Sequence, residues 1–304
     1  MKVLVLMAVY NGAKYIKEQI QSIFAQEGVD VHLIIADDSS TDDSVEIIKG
    51  FILNGAPIEL VTREEGTGSA AKNFMSLIKL AKDYSKYDAF SFSDQDDIWL
   101  PAKLKSATDM LSRHNAALYM SNLIMWDEVS GDKTILRRDA RLKKFDYLFE
   151  SGSAGCTYVL GKDFFSLLRE QAFKISYHNW KGFSHDWLIY FLARINACKV
   201  VIDPVPNILY RIHANNVHGH LNKSSISSFR AKLKLVQNGW YLGQIEGFLP
   251  LIDRDGTERK IYNLYKKGIL FRLFVLVRYN FGLIRNPTKL IQFGFVSLLP
   301  QKNI

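Results

Sequence analysis

The sequence predicts an α/β protein: a mostly parallel sheet with helices on both faces, followed by a helical extension. Three observations predict it. Apolar runs without polar alternation recur through the first half, as in strands buried on both faces. Segments with apolar residues at three- and four-residue spacing alternate with those runs, which implies parallel pairing through crossover helices. From Ser225 onward the pattern turns helical and basic.

The elements follow in order. Residues 2–9 form the first strand, and Tyr10-Asn11-Gly12 is the turn signal after it. Ile16, Ile20, Ile23 and Phe24 mark the first helix. Residues 31–36 are a second strand that runs into Asp37-Asp38-Ser39-Ser40-Thr41-Asp42. Ser40 and Asp43 have capping-box spacing for a helix over about 42–51. Residues 58–62 are a third strand, and 71–82 a helix with Phe74, Leu77, Ile78 and Ala81 on one face. The fourth strand covers 87–92. Pro101 then starts a helix carrying Leu104, Ala107, Met110 and Leu111, because proline at the first helical position loses no needed N–H. After about Ala117 the alternation weakens. Residues 118–123 read as a strand, 137–144 as a charged loop and 151–156 as a small, flexible segment. Residues 185–195 read as a helix, and 200–211 as strand, turn, strand. There is no internal repeat. The expected division is one domain over 1–225 and a basic helical extension over 226–304.

Composition narrows the class. With 304 residues, 48% hydrophobic and 23% charged, the chain has the make-up of a globular protein with a large core. Cys156 and Cys198 make neither a disulfide framework nor a zinc cluster, which favours a reducing compartment. Residues 3–9 are too short for a secretory leader, and no apolar run nears the roughly 18 residues of a spanning helix. A cytoplasmic protein is expected. From Ile226 onward, 13 Lys/Arg stand against 4 Asp/Glu, so the net charge of +8 sits in the tail. A uniformly basic chain would suggest nucleic acid; this distribution points away from it and toward peripheral contact of the tail with an anionic membrane surface.

The chemistry centres on Ser93-Asp94-Gln95-Asp96-Asp97-Ile98-Trp99-Leu100-Pro101, where a strand ends and a helix begins. Carboxylates this close repel, and a divalent cation relieves the conflict. Hard oxygen ligands suit Mg²⁺ or Mn²⁺, and open α/β sheets bind ligands at the carboxyl ends of their strands. The plain alternative is a solvated turn whose aspartates cap the next helix. Asp37-Asp38 ends the second strand. It could accept from a pyrimidine N3–H or a ribose hydroxyl with Tyr10 stacked on the base, or it could simply cap the following helix. Asp186 opens a helix, where the dipole stabilises its charge and where a general base could sit. His213, two residues after Arg211, could help hold a diphosphate or its metal, although a lone histidine is more often structural.

Gly66-Thr67-Gly68-Ser69-Ala70-Ala71 matches the dinucleotide pattern G-x-G-x-x-A. It follows the third strand rather than the first, and Glu64-Glu65 before it would repel a pyrophosphate, so a dehydrogenase is set aside. No P-loop is present, so a diphosphate site here would use metal.

Four ordered stretches carry a resemblance: Met7-Ala8-Val9-Tyr10-Asn11-Gly12, Ile35-Ala36-Asp37-Asp38-Ser39-Ser40-Thr41-Asp42, Ser93-Asp94-Gln95-Asp96-Asp97-Ile98-Trp99 and His185-Asp186-Trp187. Together they resemble the family 2 glycosyltransferases of GT-A fold, over roughly residues 1–220. Gly68 with Asn73-Phe74, the Asp-Gln-Asp-Asp-Ile-Trp form and Tyr210-Arg211-Ile212-His213-Ala214-Asn215-Asn216 resemble bacterial rhamnosyltransferases of surface polysaccharide and capsule synthesis. The resemblance implies a nucleotide-sugar site at Ala8, Tyr10, Asp38, Asp94, Gln95 and Arg211. It implies Mn²⁺ or Mg²⁺ on Asp96 and His213, and Asp186 as catalytic base. Ala8 stands where many members have Thr or Ser, so one side-chain hydrogen bond to the nucleotide is missing. The implied reaction is inverting transfer of a sugar, L-rhamnose from dTDP-L-rhamnose, onto a growing lipid-linked glycan. A UDP-hexose donor, a nucleotidyltransferase and a silent sugar-nucleotide-binding module are the alternatives.

Overall fold

A computed structural model describes residues 1–213 and 226–302. The chain forms two compact units. The first comprises residues 1–139, 152–175 and 188–213; the second comprises 140–151, 176–187 and 214–304. The expected single cut near 225 is therefore replaced by an interleaved division, in which 140–151 and 176–187 join the C-terminal unit.

In the first unit, β1 (Lys2–Val9), α1 (Ile16–Phe24), β2 (Asp30–Asp37), α2 (Ser44–Leu53), β3 (Ile58–Thr62), α3 (Ala70–Leu80) and β4 (Ala89–Ser93) alternate as expected. Then come β5 (Ile98–Trp99), α4 (Lys103–His114), β6 (Leu118–Ser121), β7 (Leu123–Asp127), β8 (Lys133–Leu136), β9 (Val159–Gly161), α5 (Lys162–Lys174), α6 (His185–Ile195), β10 (Val200–Asp203) and β11 (Ile208–Ile212). The main sheet has the order β10-β6-β9-β4-β1-β2-β3. Its strands pair in parallel except β9, which runs antiparallel to β4 and β6. A second sheet, β5-β11-β7-β8, holds the strands that the fading alternation hid. Residues 200–211 are strand, turn, strand as expected, with β10 joining β6 in one sheet and β11 joining β5 and β7 in the other.

The core explains the order. Seven of the eight β1 residues are buried, so this strand is the centre of the sheet. Ile16, Ile20 and Ile23 of α1 and Leu104, Ala107 and Leu111 of α4 pack in the same core as Val3, Val5 and Met7. Proceeding from β1, the chain builds outward through β2 and β3, then returns to add β4 on the other side of β1. That reversal opens a crevice at the strand carboxyl ends, where ligands of such sheets bind.

Three local expectations are corrected. The Ser40–Asp43 capping box does not form; the Asp42 carboxylate instead accepts from Ser44 N at 3.0 Å, while Ser40 Oγ accepts from Asn11 N at 2.8 Å. Helix α4 starts at Lys103, two residues after Pro101. Residues 151–156 are not a flexible surface segment: Gly152, Ser153, Gly155 and Cys156 are buried. A Cβ on Gly152 would lie 2.7–2.8 Å from Met120 Sδ, Tyr158 Oη and Tyr190, so only glycine fits there.

The second unit contains α7 (Ile226–Gln237), α8 (Trp240–Phe248), α9 (Thr257–Lys266), α10 (Ile269–Tyr279) and α11 (Pro287–Ser297). Its other two segments supply aromatic anchors. The Phe149 ring lies 4.9–6.2 Å from those of Tyr241, Tyr262, Tyr265 and Phe293, and Tyr262 Oη donates to Leu148 O at 2.8 Å. Trp180 Nε1 donates to Gln244 Oε1 at 3.2 Å and packs where Gly247 leaves no side chain. Among the described residues, no helix is long and apolar enough to cross a membrane.

Candidate active site

The loops after β1, β2 and β4 are stitched to one another. Gln95 clamps the Tyr10 backbone, its Oε1 accepting from Tyr10 N at 2.8 Å and its Nε2 donating to Tyr10 O at 3.0 Å. Gly12 makes this possible, since a Cβ there would meet Gln95 Oε1 at 2.5 Å. Gly12 N donates to Ser44 Oγ, and Thr41 N to Asn11 Oδ1, each at 2.8 Å. Asn11 and Ser39 hold positive φ of 48° and 66°. A serine with left-handed backbone is uncommon, and both residues stand at the crevice. The Tyr10 ring is 58% exposed, open to stacking, whereas Ala8 is buried within β1 and offers no polar atom.

Asp38 is buried and accepts from Thr67 N at 2.7 Å and Thr67 Oγ1 at 2.9 Å. This explains the G-x-G-x-x-A look-alike. Gly66 lets the loop come close, since its Cβ would lie 2.9 Å from Asp38 O, and Gly68 supplies a φ of +81°. The glycines serve the Asp38 loop, not a dinucleotide. Each carboxylate oxygen has two lone pairs, so Asp38 keeps acceptor capacity for a ligand.

The acidic stretch splits in two. Asp96 faces His213, with Oδ2 and Nε2 2.8 Å apart and side chains 16% and 13% exposed. The Tyr15 ring lies 4.9 Å from the His213 ring. Asp97 turns inward. It groups with Asp94 and Cys156, their ligand atoms all within 4.8 Å of one another. Burial, then the charges of Asp96 and Asp94, pushes the Asp97 carboxyl well above the usual range. Burial likewise pushes the Cys156 thiol up. Beneath them the Lys103 ammonium is buried, bonded to Ser91 Oγ at 2.9 Å and seated 3.4 Å from the Trp99 ring centroid. Burial lowers its pKa to about 7, against the opposing pull of Cys156 and Asp97.

The donor chemistry fits a hard divalent cation. Asp96 offers a carboxylate oxygen and His213 an imidazole nitrogen 2.8 Å apart, and Asp94 with Asp97 offers further carboxylate oxygens, donor types suited to Mn²⁺ or Mg²⁺. A protonated Cys156 is not the thiolate that softer metals select. Both Asp97 oxygens are buried without a hydrogen bond of ordinary geometry, so that carboxyl is the strained member of the group.

Arg211 does not reach outward for a diphosphate, and that expectation is corrected. It is 2% exposed, with Nε donating to Asp96 O at 2.9 Å, one amino group to Glu128 at 2.7 Å and the other to Glu18 at 2.5 Å. Its guanidinium is sandwiched between Tyr15 and Trp126, 4.5 and 4.6 Å from their centroids. Strand β11 and the residue after it thus hold Asp96 twice, by its main chain through Arg211 and by its side chain through His213. Ala214, Asn215 and Asn216 lie outside the described residues.

Asp186 belongs to the second unit, in the first turn of α6. Its Oδ1 accepts from Trp187 N at 2.8 Å and from the Ser184 hydroxyl. Trp187 Nε1 donates to Tyr147 O at 2.8 Å and fixes that turn. Lys103, Cys156, Glu18 and Glu128 carry no readable motif: Lys103 and Cys156 are buried among apolar neighbours, and Glu18 and Glu128 lie at partly exposed positions that look like ordinary surface acids.

Residues 4–174 match the model of glycosyl transferase family 2. The chain belongs to this family. It is 40% identical over 279 residues to the dTDP-rhamnosyl transferase RfbG of Shigella flexneri, covering 90% of this chain and 92% of that one. It is 26% identical over 158 residues to a UDP-Glc:α-D-GlcNAc-diphosphoundecaprenol β-1,3-glucosyltransferase, WfgD, of Escherichia coli, covering 51% and 58%. Among solved structures it resembles S. aureus TarS 1–349 in complex with UDP, with a TM-score of 0.58 at 16% identity, covering 98% of this chain and 88% of that one. The family 2 glycosyltransferase therefore has the GT-A-like α/β fold, with its C-terminal helices included in the likeness.

Proposed function

We propose that this glycosyltransferase moves L-rhamnose from dTDP-L-rhamnose to a growing, lipid-linked surface polysaccharide, with inversion at the anomeric carbon. The observation that carries the donor is the 40% identity to a dTDP-rhamnosyl transferase across nearly both full lengths.

Tyr10 stacks on the base and Asp38 accepts from it. Asp94 faces the ribose side, and Asp96 and His213 would hold Mn²⁺ or Mg²⁺, which when bound offsets the negative charge of the departing diphosphate. Gln95 and Arg211 keep the strand-end loops in register, so those groups need no reorganisation during reaction. Asp186 accepts the acceptor hydroxyl proton as that oxygen attacks the anomeric carbon from the face opposite the leaving group. A single in-line displacement of this kind inverts configuration.

A UDP-hexose donor is the rival reading, favoured by the more distant glucosyltransferase relative. A panel of nucleotide sugars separates the two. With Mn²⁺ present, dTDP-L-rhamnose at a hundred times its Kd should stabilise the fold by about 2.7 kcal/mol through mass action, and EDTA should remove most of that gain. Stabilisation by UDP-hexoses alone would replace the donor; undiminished stabilisation in EDTA would remove the metal. Release of pyrophosphate rather than a nucleoside diphosphate would indicate a nucleotidyltransferase. Donor binding without turnover on any acceptor would indicate a binding module.

A further inference from the structure

Helix α10 is inverted with respect to water. Its buried positions include Arg272 and Val275, while Ile269, Leu270, Leu273, Phe274 and Val277 are exposed. Leu270, Leu273, Phe274 and Val277 recur at three- and four-residue spacing, so they share one face. Leu270 is 80% and Val277 72% exposed, and Phe281 just beyond the helix is 69% exposed. The one polar group within this stretch of helix is turned inward: Arg272 Nε donates to Tyr265 O at 3.0 Å and Nη1 to Ser297 O and Leu299 O at 3.3 Å. A soluble helix does the opposite, facing its charges to water and its apolar side chains to the core.

The chain that forms this face and follows it is basic. From Arg259 to the end of the chain there are nine Lys/Arg and no Asp or Glu. Lys267 stands just before α10, Arg278 in its last turn and Lys289 in α11; all three are exposed. Helix α11 adds exposed Ile291 and Phe295. Of the nine, Lys266 pairs with Glu246 and Arg285 with Glu150. A contiguous outward apolar stripe marks an interaction site, and a net basic rim selects an anionic partner.

We propose that the outer face of α10 docks on the headgroup and acyl boundary of an anionic lipid bilayer, with Leu270, Phe274 and Val277 inserted and Lys267 and Arg278 on the lipid phosphates. The helix lies in the interface plane: its 11 residues are far short of a bilayer span. This inference stands apart from the donor and the reaction.

The test is flotation of the full chain with vesicles of phosphatidylcholine alone or mixed with phosphatidylglycerol. The wild-type chain should float with the anionic vesicles and lose most of that binding in about 1 M salt, where screening shortens to roughly 3 Å. A triple variant, Leu270→Glu, Phe274→Glu and Val277→Glu, should partition at least tenfold less. Its melting temperature should be unchanged, because the replaced side chains face outward. Lys267→Glu with Arg278→Glu should abolish the preference for anionic over neutral vesicles. Flotation of the triple variant equal to wild type would overturn the proposal. So would a wild-type dimer in size-exclusion chromatography that the triple variant converts to monomer, since a second copy would then cover the face.

Discussion

Two buried arginines, Arg211 in the first unit and Arg272 in the second, are held by opposite means; the second unit's Arg285, also buried, is paired with the Glu150 carboxylate as Arg211 is with its own. In the first unit Arg211 meets two carboxylates, a carbonyl and two aromatic faces. In the second, Arg272 meets only main-chain carbonyls and the Tyr265 ring, 5.0 Å from its centroid. Formal charges compensate the first; dipoles compensate the second. The difference follows from what each arginine holds. Arg211 fixes one acidic loop, whose own negative charge requires a cation nearby. Arg272 joins the carbonyl-rich ends of α9 and α11, where the helix dipoles are negative and leave acceptors unsatisfied. Arg211 is thus part of the site, and Arg272 part of the scaffold.

The largest expected effect tests whether the two units divide chemistry from donor binding. Asp186→Asn keeps shape and removes the proton acceptor, so kcat should fall by at least about a hundredfold, the low end for a positioned base. Donor Kd should hold. Asp38→Asn should do the reverse and raise donor Kd with kcat less affected. If Asp186→Asn turns over normally but binds donor weakly, the division fails and Asp186 is a binding residue.

Next in size is Arg211→Met. Breaking a buried ion pair costs about 3–5 kcal/mol, and the half-exposed Glu18 puts this case near 3. Chemical denaturation measures the loss. Metal stimulation of donor binding should weaken with it, because Asp96 loses its main-chain anchor. Full metal stimulation in a destabilised Arg211→Met would reduce Arg211 to scaffold, the same status as Arg272.

Arg272→Met should cost less, about 1–3 kcal/mol for leaving buried carbonyls without donors, and should leave metal-dependent donor binding untouched. A loss of metal response in this variant would erase the contrast.

The smallest effect is a pH dependence. Burial brings the Lys103 pKa down to about 7 in the fold, from an ordinary 10.5 in the unfolded chain. Between those values the unfolded chain binds a proton that the native chain lacks, so this group makes stability rise with pH across the window. Below pH 7 both states are protonated and the contribution is flat. Relative to Lys103→Met, the wild type should therefore gain about 1 kcal/mol from pH 7 to 8 in urea unfolding. A flat difference would show Lys103 charged throughout.

Residues 1–114 were legible because each element there satisfies its own local rule. Strand β1 is apolar on both faces, helices α1 and α4 repeat at the helical period, and the acidic loops follow strands directly. Later the same rules lost their grip. Strands β7 and β8 lie in a small half-exposed sheet with little pattern, and residues 145–149, where Phe145, Tyr147, Leu148 and Phe149 are buried, show no helical or strand period that would mark them as core. Nothing in a short aromatic run says which distant helix will cover it.

The sequence by itself determined the fold class, the strand-end placement of Tyr10, Asp38 and Asp94, and the family. These depend on spacing along the chain, which residue order contains in full. Only the tertiary structure decided that Asp97 faces inward to Cys156 and Lys103, that Arg211 grips Asp96 rather than a ligand, and that α10 turns its charge in and its apolar side chains out. Each of those outcomes depends on which groups meet across long separations in sequence. Burial there sets the balance between desolvation and pairing, and no local pattern encodes that balance.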